Sequence, residues 1–136
     1  MPRFLMLVHS PVDGGELTVE LVEAMNRFNE ELQRAGALLA LDGLLPPDTG
    51  ARVTFAEGAP PVVTDGPFTE AKEWVGGYWI IQAASQEEAV EWASRAPIER
   101  GSIEIRRIGE PEDYAPEIAQ AAEMSSDPPQ QTRATD

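Results

Sequence analysis

Residues 62–83 read VVTDGPFTEAKEWVGGYWIIQA, and this stretch contains the features that decide the fold. A short β-branched run ends at Asp65, and a turn-forming Gly-Pro pair follows at once. A charged segment then leads to Gly76-Gly77 and to the apolar run Tyr78–Ala83. The stretch therefore predicts a strand, a loop over residues 65–75 and a second strand.

The chain before this stretch predicts a βαβ unit. Arg3–His9 carries apolar residues on both faces, which is typical of a central strand covered on both sides. From Thr18 to Ala35, apolar residues recur at steps of four and three, which predicts an amphipathic helix. Thr18 is the expected N-cap and Gly36 the expected C-terminal stop. A short apolar strand over Ala37–Leu41 completes the unit.

The flanks of the stretch predict a hairpin and a second βαβ unit. Arg52–Ala56 alternates in polarity, and residues 62–64 return the chain beside it as a β-hairpin. Ser85 and Glu88 form a capping box at the start of a second helix. Ser102–Ile108 is the last predicted strand.

The predicted order is β-α-β, a hairpin, then β-α-β, which is the split βαβ plan of ferredoxin-like folds. We therefore expect an α+β domain with an antiparallel sheet, an inserted β-hairpin and two helices on one sheet face. The other face carries apolar residues and has no covering layer in this chain. Sheet-to-sheet association is the simplest cover, so the sequence predicts a homodimer with an enclosed cavity between its two sheets.

The composition restricts the kinds of partner and site. The 136 residues include 24 acidic and 10 basic side chains, a net charge of −14, which disfavours nucleic-acid binding because phosphates are repelled. There is no cysteine, which excludes disulfides and thiolate sites. The apolar run Phe4–Val8 is too short for a signal sequence or a membrane span. We therefore expect a cytoplasmic protein without a membrane partner.

The C-terminal part differs from the rest in charge density. Residues 110–136 hold seven acidic side chains and one basic side chain. We expect a ferredoxin-like domain at 1–109 and an acidic extension at 110–136, which contains a weak helix over Ala115–Met124. The end of the extension is predicted to be disordered, because it offers little apolar area to offset the entropy of ordering.

Residues 63–73 read VTDGPFTEAKE and closely resemble the V-T-D-G-P-F-x-E-x-K-E motif of the DGPF, or YciI-related, family. Other segments between about residues 3 and 108 fit as well, namely Asn29–Leu32, Ala35-Gly36, Asp42–Leu44, Gly77–Ile81, Glu87–Ala93 and Ile103–Arg106. The resemblance implies a ferredoxin-like fold of the dimeric α+β barrel group. Relatives in that group include small enzymes acting on aromatic and lactone-type substrates, and some DGPF members are thought to work with alternative sigma factors. Many relatives have a cysteine where this chain has Ala96, so no cysteine role transfers.

Two residues are candidates for catalysis. Asp65 ends a strand and leads into a loop, a common position for a functional carboxylate, but a turn carboxylate that accepts backbone N–H groups fits equally well. His9, the only histidine, ends the first strand. In YciI-type relatives a histidine near this position is thought to pair with the aspartate of the later loop. Such a pair would act as a general base with an orienting carboxylate, and the alternative is a solvent-exposed histidine.

Five more residues, charged or aromatic, are candidates for ligand binding: Phe68, Glu70, Lys72, Trp79 and Arg106. For the charged ones, the alternative is a solvated loop or rim with weak ion pairs. Trp79 and Tyr78 alternate along the strand, and whichever of them faces the open side of the sheet lines a ligand cavity or fills the dimer core. The acidic spacing lacks a calcium-loop pattern, so we predict no metal site, and no motif indicates a cofactor.

The sequence leaves two functions open. The first is a small cofactor-free enzyme that uses Asp65 and His9 in the cavity between the sheets. The second is a non-catalytic ligand-binding or regulatory module, with a small-molecule ligand or a protein partner of sigma-factor type. Convergence of Asp65 and His9 in a closed cavity would favour the enzyme.

Overall fold

The computed structural model describes residues 1–66 and 72–126. Within them, strands and helices follow one another in the order β1 (Arg3–Pro11), α1 (Val19–Arg34), β2 (Leu38–Gly43), β3 (Ala51–Thr54), β4 (Val62–Asp65), β5 (Glu73–Gln82), α2 (Gln86–Ser94), β6 (Ser102–Arg107) and α3 (Pro116–Ser126). The expectation of a disordered end falls mostly on residues 127–136, which lie outside the described residues.

Local signals at both ends explain why α1 forms where the sequence predicts it. The Thr18 hydroxyl oxygen accepts a hydrogen bond from the Leu21 backbone N–H at 3.1 Å, which satisfies one of the free donors of the first turn. Gly36 has a φ of +72°, the left-handed conformation that ends helices and that glycine adopts without a Cβ clash. The apolar face between these ends directs Phe28 and Leu32 into the core. The predicted helix and its two ends are confirmed.

The main sheet has four strands in the order β2-β5-β1-β6, and every neighbouring pair is antiparallel. Strands β3 and β4 pair only with each other among the described residues, with Val53 opposite Val63. Helices α1 and α2 contribute to one core with β1 and β5. The predicted α+β, ferredoxin-like sheet with an inserted hairpin is therefore confirmed.

Strand β5 begins at Glu73, five residues before the predicted start at Tyr78. The sequence predicts a loop over residues 65–75 because the segment is charged and is followed by two glycines. Residues 73–75 are nevertheless strand because they pair with residues 9–11 of β1. The same pairing extends β1 to Pro11, two residues beyond its predicted end.

The two faces of the main sheet differ in cover. The helix-covered face is closed by fully buried side chains from three elements, Met6 of β1, Leu32 of α1 and Ile81 of β5. Phe28 of α1 packs edge-on against Trp79, with ring centroids 5.3 Å apart. On the opposite face the alternating residues, among them Leu5, Leu7 and Ile80, are only half-buried. We call this second surface the open face.

Ion pairs join residues 110–113 to strands β1 and β6. Arg107 donates two hydrogen bonds, of 2.9 and 2.6 Å, to the Asp113 carboxylate, and this contact lowers the pKa of Asp113 to about 2. Arg3 lies 2.9 Å from Glu110. Both pairs join exposed or half-buried groups, so each contributes little to the stability of the fold.

Leu32→Ala tests the assignment of the core. Leu32 is fully buried, so removing its side-chain carbons should lower the free energy of unfolding by about 2–5 kcal/mol. Leu45→Ala is the matched control, because Leu45 is 77% exposed and the same truncation should change stability by less than about 0.5 kcal/mol. Urea denaturation of both variants measures the difference, and equal losses would contradict the described core.

Candidate functional site

A cavity of about 350 Å³ lies between α1 and the helix-covered face of the sheet. Its size is at the lower end of the range of ligand pockets, about 300–1,000 Å³. The sheet contributes Val8, Leu41 and Trp79, helix α1 contributes Leu21, Met25 and Asn29, and the segment after α2 contributes Pro97 and Ile98. We call this cavity the α1 pocket. It is mainly apolar, with a few polar groups on its wall.

The best-defined polar contact of the α1 pocket joins Trp79 to Asn29. The indole Nε1–H of Trp79 donates a 2.7 Å hydrogen bond to Oδ1 of Asn29. Trp79 is buried and packs against Phe28. Asn29, which follows Phe28 in α1, is half-buried. The hydrogen bond therefore holds the Asn29 amide in one orientation at the pocket wall.

A β-bulge shapes the floor of the α1 pocket. In the β1–β5 register, Val8 pairs with Gly77 and His9 pairs with Val75, which leaves Gly76 as the extra residue. A Cβ at Gly76 would lie 2.6 Å from Oγ of Ser10, and one at Gly77 would lie 2.8 Å from the Asp42 carbonyl oxygen. Gly77 therefore requires glycine, because the obstructing atom is backbone, whereas at Gly76 it belongs to the Ser10 side chain.

The open face has an apolar centre and a charged edge. Leu5 of β1 pairs with Ile80 of β5 on one side and with Arg106 of β6 on the other. In the next row, Tyr78 and Leu7 are partners and Glu104 lies opposite Leu7. The row that contains Tyr78 also contains Asp42 of β2, whose carboxylate accepts a 2.7 Å hydrogen bond from the Tyr78 hydroxyl.

His9 lies at the charged edge of the open face, between two carboxylates. Its Nε2 is 2.9 Å from Oε1 of Glu104, and its Nδ1 is 3.4 Å from Oε1 of Glu73. The sequence predicts Asp65 as its partner, but no described contact joins the two residues. The described partners of His9 are therefore Glu104, within hydrogen-bond distance, and Glu73.

Asp65 ends β4 in the separate hairpin and is exposed. Its backbone pairs with Ala51, and within the described residues its carboxylate has no hydrogen-bond donor. No described residue therefore donates a hydrogen bond to the Asp65 carboxylate. Both the catalytic and the turn interpretation of Asp65 stay predictions.

The candidate ligand-binding residues are spread over different surfaces. Phe68 and Glu70 lie outside the described residues. Lys72 is exposed, and its carbonyl oxygen accepts a hydrogen bond from the Val12 backbone N–H at 3.1 Å. The side chain of Arg106 is 73% exposed and lies 3.6 Å from the Glu104 carboxylate. Trp79 faces the helices rather than the open face, where it lines the α1 pocket.

Sequence reasoning did not identify the α1 pocket. Its polar residue, Asn29, belongs to the family-matching segment Asn29–Leu32, but nothing in that segment indicates a pocket. Its partner Trp79 is 50 residues away in the sequence. The glycine pair at 76–77 was the available signal, because glycines inside a strand often mark a bulge or the close approach of another chain segment. The sequence prediction assigned those glycines to a strand start instead.

The described residues contain neither a cluster of metal ligands nor a membrane-spanning helix. No three His, Asp or Glu side chains among residues 1–66 and 72–126 are grouped so that they would hold a metal ion. In the same part of the chain, no helix has both the length and the apolar character needed to cross a bilayer.

The split βαβ sheet, the inserted hairpin and the open sheet face define the class of small ferredoxin-like α+β proteins. The family model for the YCII-related domain matches residues 3–111, which is most of the chain, and the protein belongs to this family. An uncharacterized protein of Rhizobium meliloti (strain 1021) is 37% identical over 77 residues, which cover 54% of this chain and 61% of that protein.

The Tyr78–Asp42 hydrogen bond gives a testable pH dependence. This bond, aided by burial and by the negative charge of Asp42, raises the pKa of Tyr78 above its ordinary value of about 10. Its contribution to stability is therefore complete below that ordinary value and is lost as the pH rises through the raised pKa. In a Tyr114→Phe background, where Tyr78 is the only tyrosine, tyrosinate absorbance follows this titration directly.

In that background, Asp42→Asn should shift the titration of Tyr78 to lower pH, because the charged acceptor is removed. Asp48→Asn, a charge-matched change at another site, should leave the midpoint unchanged. A midpoint that does not respond to Asp42→Asn would contradict the described contact.

Proposed function

We propose that this YCII-related protein binds a small molecule in the α1 pocket without transforming it. The supporting observation is the pocket itself, a cavity of about 350 Å³ with an apolar wall and an oriented amide. Small-molecule sites are typically concave, mostly apolar and equipped with few polar groups, and the α1 pocket has each of these properties.

The positions of His9 and Asp65 favour binding over catalysis. The enzyme hypothesis requires the two side chains to act on one substrate, whereas the described contacts pair His9 with Glu73 and Glu104. Neither His9 nor Asp65 is among the residues that line the α1 pocket. A pocket that lacks an adjacent acid–base pair is suited to ligand binding. A partner of sigma-factor type stays a hypothesis that rests on the family resemblance.

We also infer that two copies of the chain associate through their open faces. The centre of this face is formed by Leu5, Leu7 and Ile80, which are half-buried in the single chain with no described layer above them. Burying apolar area of this kind stabilises a complex by roughly 25 cal/mol per Å². The charged edge with Glu104 and Arg106 is consistent with the polar rim of an interface.

Binding to the α1 pocket is tested with ethylbenzene, a probe that has no hydrogen-bond acceptor and therefore reports on the cavity alone. In two-dimensional NMR, it should shift the backbone signals of Leu21, Met25 and Trp79. Leu21→Trp should abolish these shifts by filling the pocket. Val22→Trp is the matched control, since Val22 is 39% exposed and does not line the pocket. Shifts that are absent, or that persist in Leu21→Trp, would refute the proposal.

Dimerisation is tested by sedimentation equilibrium at micromolar concentration, where the protein should have twice the 14.8 kDa mass of the chain. Leu7→Glu should reduce this mass to that of the monomer, because it places a charge at the apolar centre of the open face. Leu45→Glu, at a position that is 77% exposed, should leave the dimer intact. Circular dichroism confirms that both variants are folded. A wild-type protein that sediments as a monomer would exclude the inference.

A further inference from the structure

The hydrogen bond from Trp79 determines which atom of the Asn29 amide is left for a ligand. An indole N–H is a donor only, so the group that faces it must be the amide oxygen. The amide nitrogen Nδ2 consequently points to the other side, with two hydrogens to donate. No residue among 1–66 and 72–126 accepts a hydrogen bond from it. Because Asn29 lines the α1 pocket, the unused donor is available to a bound molecule.

The surroundings of the pocket select against an anion. Glu16 and Glu99 lie among its lining residues and are exposed. Arg100 is the basic residue of the lining, and its guanidinium is already paired with Asp13 at 3.1 Å. The chain as a whole carries a charge of −14, so its field repels negative ligands. The side chains next to Asn29 on the pocket wall, Met25 and Trp79, carry no charge, so an uncharged group fits at this point of the pocket.

We propose that the α1 pocket takes an uncharged molecule with a ring-sized apolar body and one carbonyl oxygen, which accepts a hydrogen bond from Nδ2 of Asn29. The apolar body lies against Leu21, Met25 and Trp79, the side chains that form the apolar wall. This inference rests on the proposed function, since it names the chemical class of the ligand for the same pocket. It assigns Asn29 a role in binding and specificity.

The first test uses the wild-type protein and three probes of similar size: acetophenone, ethylbenzene and benzoate. All three share the ring, but only acetophenone combines a carbonyl acceptor with zero charge. Acetophenone should move the Asn29 side-chain amide proton signals downfield, and ethylbenzene should leave them in place. Benzoate should bind more weakly than acetophenone. Unmoved amide signals with bound acetophenone, or tighter binding of benzoate, would overturn the inference.

The second test removes the donor while keeping the acceptor for Trp79. Asn29→Asp retains an oxygen for the indole N–H but has no N–H to offer. The affinity for acetophenone, divided by that for ethylbenzene, should fall about threefold to tenfold or more, the range expected for the loss of one hydrogen bond. Asn26→Asp adds the same charge at an exposed position that does not line the pocket, and it should leave the ratio unchanged.

The probes separate failure of this inference from failure of the proposed function. If ethylbenzene shifts the pocket signals while the affinity ratio is the same in wild type and Asn29→Asp, the pocket binds ligands but Asn29 does not select them. If no probe shifts the signals of Leu21, Met25 and Trp79, both proposals are wrong. If Asn29→Asp does not fold, the wild-type amide signals still decide the matter.

Discussion

The packing of Trp79 between the sheet and α1 is the contact on which the rest of the structure depends. Its ring meets Phe28 edge-on at 5.3 Å, and its indole N–H is bonded to Asn29 at 2.7 Å. Because side chains alternate along a strand, placing Trp79 toward the helices places Tyr78 and Ile80 on the open face. A shift of β5 by one residue would exchange the two faces, so this contact also maintains the strand register.

The α1 pocket and the open face lie on opposite sides of the same sheet. The α1 pocket lies on the helix-covered side, where the bulge at Gly76 and the absence of a side chain at Gly77 shape its floor. The open face lies on the other side, with Leu5 and Leu7 at its centre. A dimer through the open face would therefore leave the pocket accessible, and binding and association would involve different residues.

Several of the described polar side chains on the sheet lie in pairs. His9 is held at the edge of the open face by Glu73 and Glu104, and Tyr78 is bonded to Asp42. These are pairwise contacts of exposed or half-buried groups, whose net contribution to stability is small. The net charge of −14 comes from the excess of acidic over basic side chains, and its field disfavours anionic ligands.

The sequence by itself determined the elements whose signals are local. Helix α1 begins after Thr18 and ends before Gly36 as predicted, because a cap and a left-handed glycine act on residues within one turn. The order of elements and their apolar alternation were enough for the ferredoxin-like plan. Only the tertiary structure decided that residues 73–75 are strand, since their pairing is with the distant residues 9–11. It likewise decided the partners of His9 and Asn29, because hydrogen bonds between distant residues leave no local pattern in the sequence.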